Sequence, residues 1–272
     1  MDTKVLKSAG SGFRHDKGKK IADRIFTGFM FTILIIYCIS LILPLIWMLL
    51  TSCKSYMEFY DNMFGLPREW DFSNFGSAIE KINSMTAIRN GEIVTHNIWQ
   101  MAGISVFWAV GNSLIYVFFT TLVAYVMSRY RFPGNNVLYL VGIFVMIAPL
   151  FGSGVSMMTI RRALGIYDNI FLMMLTNNAT MFAGLYFMLL YAAFKRIPWS
   201  FAEAAFIDGG GNYRVLFSIM IPMMLPTCAV IFVLTFLANW NDYGTFLTWL
   251  PSYPNLSYGM YRFQNDFLLY GG

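Results

Sequence analysis

The sequence PWSFAEAAFIDGGGNYRVLFSIMIP occupies residues 198–222 and separates two long apolar runs. Pro198 suits the first turn of a helix, and Gly209 opens a glycine triplet that tolerates positive φ and so ends that helix. Asn212 is a favourable N-cap for a second short helix. The stretch therefore predicts two short helices. Periodicity alone is also compatible with an ordinary amphipathic helix at a membrane interface.

The composition is that of an integral membrane protein. Hydrophobic residues make up 57% of the chain, charged residues 12%, and the mean hydropathy is +0.56, whereas soluble domains carry about 25% charged residues. Because a transmembrane helix needs about 20 mainly apolar residues, we predict five spans. They cover about 26–50, 104–127, 137–160, 169–194 and 224–250. The apolar runs are continuous rather than alternating, which favours helices over barrel strands.

The distribution of lysine and arginine predicts the orientation, because these residues accumulate on the cytoplasmic side. Residues 1–25 are polar and basic, and we expect them to form a mobile cytoplasmic tail. Five crossings from there bring the short basic loops 128–136 and 195–222 to the same side. The net charge of +5 is therefore a topology signal and not a nucleic-acid footprint. The pair Arg161-Arg162 is the exception, since it falls on the outer side.

The sequence offers no constellation for catalysis or for a metal. The three cysteines lie in or at the ends of separate spans without metal-type spacing, at Cys38, Cys53 and Cys228. His15 and His96 are far apart and lack neighbouring carboxylates. There is also no G-x-x-x-x-G-K-[ST] phosphate loop. These observations argue against an integral membrane enzyme. We predict that the chain is not an enzyme and that it binds no cofactor itself.

The stretch quoted above resembles the EAA motif of bacterial ABC-importer permeases, written EAA-x3-G-x9-I-x-L-P. The matching residues are Glu203-Ala204-Ala205, Gly209, Ile219 and Pro222, and the one departure is Ile221 in place of leucine. The resemblance implies that 198–209 is a cytoplasmic coupling helix that inserts into a groove of a separate ATPase. The coupling residues that it implies are Glu203, Ala204, Ala205, Phe206, Ile207, Asp208 and Gly209.

A second motif lies at the inner end of the second span. Residues 124–134, AYVMSRYRFPG, are similar to the A-Y-x-x-[SA]-R-x-x-F-x-G turn of carbohydrate permeases. Arg129 and Arg131 are expected to anchor this end of the helix, while Pro133-Gly134 reverses the chain. The similarity narrows the resemblance to the carbohydrate-uptake branch, and within it to the maltose-type second permease subunit. Pro149 interrupts the third span, where we expect a kink or a hinge.

The fifth span carries a polar cluster at predicted membrane depth. Its residues are Asn239, Asn241, Asp242 and Tyr243, and Trp240-Asn241-Asp242-Tyr243 matches the W-N-[DE]-[FY] element of sugar permeases. An ionisable side chain at that depth is costly and therefore points to a function. Asn112 in the second span is a weaker case of the same kind. Lining of the substrate path and hydrogen bonding between helices are both open to these residues.

The resemblance implies an all-α integral membrane protein with the type I ABC importer permease fold, in the bacterial inner membrane. Its core would span 104–250. The implied partners are a second permease subunit in a heterodimer, two cytoplasmic ATP-binding subunits that hold ATP and Mg, an external solute-binding protein and the lipid bilayer, without nucleic acid. Closure of the ATPase pair would tip the coupling helix and switch the pore from inward-facing to outward-facing.

The outer side is predicted to hold the long segment 51–103 and the C-terminal segment 251–272. Two roles are open for 51–103, namely contact with the solute-binding protein or a lid packed on the partner subunit. Family members usually have a sixth span, whereas this sequence stops at Gly272 on the outer side, so we expect either a truncated sequence or a shortened subunit.

Two other transporter classes are alternatives to a carbohydrate ABC-importer permease. One is an ABC permease for a non-sugar solute such as a peptide or amino acid. The other is a secondary transporter, which would be expected to show internal repeats with paired broken helices. No second copy of the 198–222 pattern occurs in the sequence.

Overall fold

The computed structural model describes residues 4–89, 92–147, 154–177, 181–182 and 184–270. Its elements, in chain order, are α1 Lys4–Ser52, α2 Tyr56–Asp61, α3 Ser73–Asn83, β1 Met85–Arg89, β2 Glu92–His96, α4 Ile98–Arg129, α5 Asn135–Ile147, α6 Gly154–Ala163, α7 Ile170–Thr176, α8 Leu185–Arg196, α9 Ser200–Ile207, α10 Asn212–Val215, a π-helical turn Leu216–Met220, α11 Ile221–Trp240, α12 Gly244–Trp249 and α13 Leu256–Tyr270. The chain divides into two units, residues 1–78 and 79–272.

The first unit consists mainly of the 49-residue helix α1. Its start at Lys4 differs from the predicted mobile tail over 1–25, because lysine, arginine and alanine have high helix propensity and extend the helix beyond its apolar part. Between Ile25 and Leu49 the large apolar side chains other than Trp47 are exposed. The most apolar part of this helix has no residue buried within the protein, as expected of a helix surface that contacts lipid.

A buried lysine closes the turn after α1. Lys54 is 3% exposed, and its ammonium donates to the carbonyl oxygens of Asn62 and Gly65, at 2.5 and 2.8 Å. The Trp47 indole Nε1 donates to the Met63 carbonyl at 3.1 Å. Because a buried ammonium must be hydrogen-bonded to be tolerated, these bonds hold residues 62–65 against the end of α1.

A β-hairpin corrects the all-α prediction. β1 and β2 pair antiparallel, with Met85 opposite His96 and Ile88 opposite Ile93. The physical reason is local. β-branched residues alternate with other side chains in β1 and fill the centre of β2 at Ile93, Val94 and Thr95, and Asn90-Gly91 is the dipeptide most favoured in a two-residue hairpin loop. Residues 90–91 themselves lie outside the described residues. The segment 51–103 thus contains two helices and a hairpin.

The second unit is built around α4. Helices α8 and α11 pack along it, and α7 and α13 contact it as well. Its buried side chains contribute to three hydrophobic clusters: Met101 packs with Ile82 and Met85, Trp108 with Met173 and Phe246, and Tyr125 with Phe194 and Met220. The position of α4 at the centre explains why it carries buried residues on most of its faces.

Within the described residues, three helices are long and apolar enough to cross a membrane. They are Asp23–Ser52, Ile98–Arg129 and Asn212–Trp240, and they correspond to the first, second and fifth predicted spans. The predicted spans 137–160 and 169–194 each contain two shorter helices, α5 with α6 and α7 with α8. Residues 148–153, 178–180 and 183 between them are not described, and Pro149 is among these, so the kink or hinge and the total of five spans stay predictions.

The second short helix predicted over 212–222 is not separate from the last span. α10, the π-helical turn and α11 follow one another without a break up to Trp240. Pro222 has no N–H to offer, and the Ile221 N–H in the turn bonds to the Leu216 carbonyl, one residue further back than in an α-helix. The wide turn therefore accommodates the proline within a continuous helix.

Candidate functional site

α9 presents a short, partly apolar surface next to the C-terminal end of α4. Within Ser200–Ile207 only Ala202 is fully buried, and it faces the core formed by α4, α8 and α11. Glu203, Ala204 and Phe206 are exposed, Ala205 is half-buried, and Ile207 is 85% exposed. The helix is shorter than the predicted 198–209 because Pro198 precedes it and Trp199 is its N-cap.

The end of α9 is a compact glycine turn. Gly209 has φ +75°, which L side chains adopt only with strain. The Gly209 N–H donates to the Phe206 carbonyl at 3.0 Å and the Gly210 N–H to the Ala205 carbonyl at 2.8 Å, the two bonds of a Schellman C-cap. A Cβ at Gly210 would lie 2.7 Å from the Ala205 oxygen. The turn directs the exposed Asp208 and Gly209 away from the core.

The C-terminal end of α4 contacts both flanks of α9. The Arg129 guanidinium donates to the carbonyl oxygens of Phe194 and Ile197, which precede α9, and its Cζ lies 5.5 Å from the centre of the Trp199 ring. After α9, the Tyr130 hydroxyl donates to the Asn212 side-chain oxygen at 3.4 Å. Asn212 was predicted to be an N-cap, but it is the first residue of α10 and Gly211 is the cap.

Two of the predicted polar residues meet between α4 and α11. The Asn112 amide donates to the Asn239 side-chain oxygen at 2.8 Å, and the Asn239 amide donates to the Ser113 hydroxyl at 3.0 Å. Asn112 is 3% exposed and Ser113 is fully buried. Ser113 was missed in the sequence, where a serine in an apolar helix gives no signal of its partner. The three side chains join the two helices within the predicted membrane layer.

The other predicted polar residues lie in the turn after α11 and do not join this contact. The Asp242 carboxylate accepts from the Thr245 N–H at 2.9 Å, and its carbonyl accepts from the Asn255 amide at 3.0 Å. Asn241 is exposed, and Tyr243 stacks on Tyr261 with ring centres 4.4 Å apart. Asp242 is half-buried and organises the start of α12.

A contact between two distant turns was not foreseen. Asp168, with φ +59°, accepts from both the N–H and the hydroxyl of Ser252, at 3.0 and 2.5 Å. The Arg161 guanidinium lies 4.3 Å from the centre of the Trp249 ring. Arg161 was an exception to the charge rule, and in the structure its guanidinium has an aromatic partner. A cation over the face of an aromatic ring is attracted by the ring electrons, so this contact is favourable. Its side chain is partly desolvated there, which lowers the pKa of the guanidinium.

The donor groups bear on cofactor and metal binding. Within the described ranges, no cluster of three or more His, Cys, Asp or Glu could hold a metal ion. Cys53 and Cys228 are buried and Cys38 is exposed, all as free thiols. The arrangement is suited to holding helices together and to offering a docking surface.

Several known proteins are similar to this chain, although no family model matches it. The diacetylchitobiose uptake system permease protein NgcG of Streptomyces coelicolor is 29% identical over 222 residues, which cover 82% of this chain and 68% of that protein. The melibiose/raffinose/stachyose import permease protein MelC of Bacillus subtilis is 28% identical and covers 74% of this chain and 67% of its own length. The inner membrane ABC transporter permease protein YcjP of Escherichia coli is 29% identical, with 82% and 76% covered.

A solved structure has a similar fold. It is a chain of a bacterial ABC transporter involved in the import of the acidic polysaccharide alginate, with a TM-score of 0.67 and 25% sequence identity. The match covers 87% of this chain and 79% of the other.

Proposed function

We propose that this chain is a permease subunit of a sugar ABC importer, as its similar proteins and its structural neighbour are permeases of such importers, and that it forms part of the translocation path for a sugar or oligosaccharide. It is a multi-pass protein of the bacterial cytoplasmic membrane. Permeases of this kind are not enzymes. ATP and Mg would be held by two partner ATPase subunits, a second permease subunit would complete the pore, and an external solute-binding protein would deliver the substrate.

The observation that carries the coupling role is the exposed surface of α9. A large apolar side chain such as Ile207 gains about 1.5–3 kcal/mol when it is buried, and 85% of it is exposed at the tip of the helix. The Schellman turn at Gly209 holds this tip in one geometry. A rigid apolar tip beside the carboxylates of Glu203 and Asp208 is suited to a groove with an apolar floor and a basic rim on an ATPase.

The polar residues divide between two roles in this proposal. Asn112 and Asn239 join α4 to α11, because each amide is bonded across the helix contact and Asn112 is buried. Asn241 and Tyr243 are exposed in the turn after α11, and Asp242 beside them is half-buried. These three are the residues proposed to meet substrate or water at the outer end of the path.

The substrate class rests on the relatives. Their names state uptake of diacetylchitobiose and import of melibiose, raffinose and stachyose, and the structural neighbour imports alginate. All of these are carbohydrates, which favours a sugar over the peptide or amino acid alternative. A binding assay of the cognate solute-binding protein with a panel of oligosaccharides and peptides tests this choice, and binding of a peptide alone would contradict it.

Charge reversal at the docking surface tests the coupling role. We expect Glu203→Lys to reduce co-purification of the ATPase and substrate-stimulated ATP hydrolysis in the assembled complex, because reversing a charge in a complementary interface costs several kcal/mol. The matched control is Glu92→Lys, which reverses another exposed carboxylate, in the hairpin on the predicted outer side. Normal assembly and normal stimulated hydrolysis with Glu203→Lys would mean that α9 is only an interfacial helix.

A further inference from the structure

Arg129 occupies the point where three helices come together. It is the last residue of α4, and its guanidinium donates to the carbonyl oxygens of Phe194 and Ile197. Phe194 lies in the last turn of α8 and Ile197 is the C-cap of that helix. The Phe194 carbonyl also accepts from the Ile197 N–H at 3.2 Å, and a cation at this end of α8 is favoured by the helix dipole.

The same guanidinium contacts the beginning of α9 through Trp199. Its Cζ is 5.5 Å from the centre of the indole. Trp199 is the N-cap of α9, and its carbonyl accepts from the N–H groups of Ala202 and Glu203 at 2.8 and 3.1 Å. The indole also lies 6.3 Å from the Phe206 ring on the same helix. Arg129 therefore touches both ends of the connection between α8 and α9.

These contacts favour arginine over lysine. Both bonds come from the Nη2 nitrogen of Arg129, and the planar guanidinium is held in one orientation that also places it by the indole, whereas the compact ammonium of lysine is a point charge on a flexible stem. Arg131, two residues further on, carries the same charge and is exposed. The structure thus separates two arginines that the sequence treated alike.

We propose that Arg129 is the positioning residue through which movement of α9 is passed to α4. This inference rests on the proposed role of α9 as a coupling helix. A displacement of α9 moves Trp199 and the end of α8, and Arg129 ties both to the end of α4. α4 in turn carries Asn112 and Ser113, which bond to Asn239 of α11, so the displacement reaches the contact between the two spans.

The test uses the complete transporter, with the second permease subunit, the ATPase and the solute-binding protein, reconstituted in liposomes. The quantity measured is the number of substrate molecules transported per ATP hydrolysed. For Arg129→Met we expect assembly with the ATPase in normal yield and a transport ratio lowered by about tenfold, within the range of coupling changes caused by residues that contact neither ligand. Arg129→Lys should recover only part of the ratio, and Arg131→Met should leave it unchanged.

The possible outcomes separate this inference from the proposed function. An unchanged ratio in Arg129→Met, together with loss of coupling in Glu203→Lys, overturns the role of Arg129 alone. If neither variant changes assembly or the ratio, the coupling role of α9 fails as well. If Arg129→Met does not assemble, the transport ratio of Trp199→Leu is the deciding measurement, because this variant removes the aromatic ring and leaves the bonds of the guanidinium to the two carbonyls. An unchanged ratio in Trp199→Leu overturns the inference. Complete recovery by Arg129→Lys also overturns it, since charge alone would then suffice.

Discussion

Replacing Ile207 by alanine should weaken binding of the ATPase without changing the stability of the permease. The side chain is 85% exposed at the end of α9, so its truncation removes almost no contact within the chain. Surface substitutions of this kind change the free energy of unfolding by less than about 0.5 kcal/mol. The effect on docking is expected to be much larger, because the proposed partner groove covers this side chain.

The size of the effect follows from the area that docking would bury. Burial of a whole isoleucine side chain contributes about 1.5–3 kcal/mol, and alanine keeps only one of its carbons, so we expect a loss of about 2 kcal/mol. Since every 1.4 kcal/mol is about a tenfold change in Kd, binding of the ATPase should weaken by about 30-fold. Glu203 and Phe206 remain in place, so binding should weaken without being lost.

The assay is the Kd of the purified ATPase subunit for the permease pair in lipid nanodiscs, with thermal unfolding of the pair measured in parallel. The matched control is Ile93→Ala, which removes the same atoms from a side chain that is 75% exposed in the hairpin, on the predicted outer side. Equal Kd values for Ile207→Ala and the wild-type pair would refute the reasoning. A loss of 30-fold in the control as well would show that the effect does not depend on α9.

Three further outcomes are expected. Asn239→Leu should destabilise the protein, and the double variant with Asn112→Leu should recover part of the lost stability. Thermal unfolding of the single and double variants should give a coupling energy of about 1 kcal/mol. Strict additivity of the two losses in stability would rule out the pairing. Asp242→Asn should retain more transport than Asp242→Leu, because asparagine can still accept from the N–H group that the carboxylate caps; equal transport would remove the role. In a background without natural cysteines, a membrane-impermeant thiol reagent applied to intact cells should label Trp99→Cys but not Tyr213→Cys, two exposed positions; the reverse pattern would invert the topology.

The position of α9 could be predicted closely because its limits are local. Pro198 and Gly209 restrict backbone angles by their own covalent structure, and the helix ends within two residues of each predicted bound. The hairpin was missed although its signal was present in the β-branched residues on both sides of Asn90-Gly91. The basic segment before the first span was predicted to be a mobile tail, whereas α1 continues through it from Lys4.

The contacts that join separate helices could not be predicted in the same way. Arg129 and Arg131 were both assigned to anchoring, yet only Arg129 turns toward the end of α8, 65 residues away. Asp168 and Ser252, 84 residues apart, gave no signal at all. Neither residue type nor spacing says which side chains meet, because that depends on how the helices pack.

The sequence by itself determined that this protein belongs in a membrane, since apolar runs of this length are typical of transmembrane helices. It also marked the segment that carries α9, through its glycines, its proline and its motif. Only the tertiary structure decided which polar groups within the apolar helices would be paired. The packing of α4 against α8 and α11 brings Asn112 to Asn239 and Arg129 to the start of α9. A local pattern records the preferences of the backbone, whereas the pairing of buried polar groups is set by the geometry of helices that are far apart in the chain.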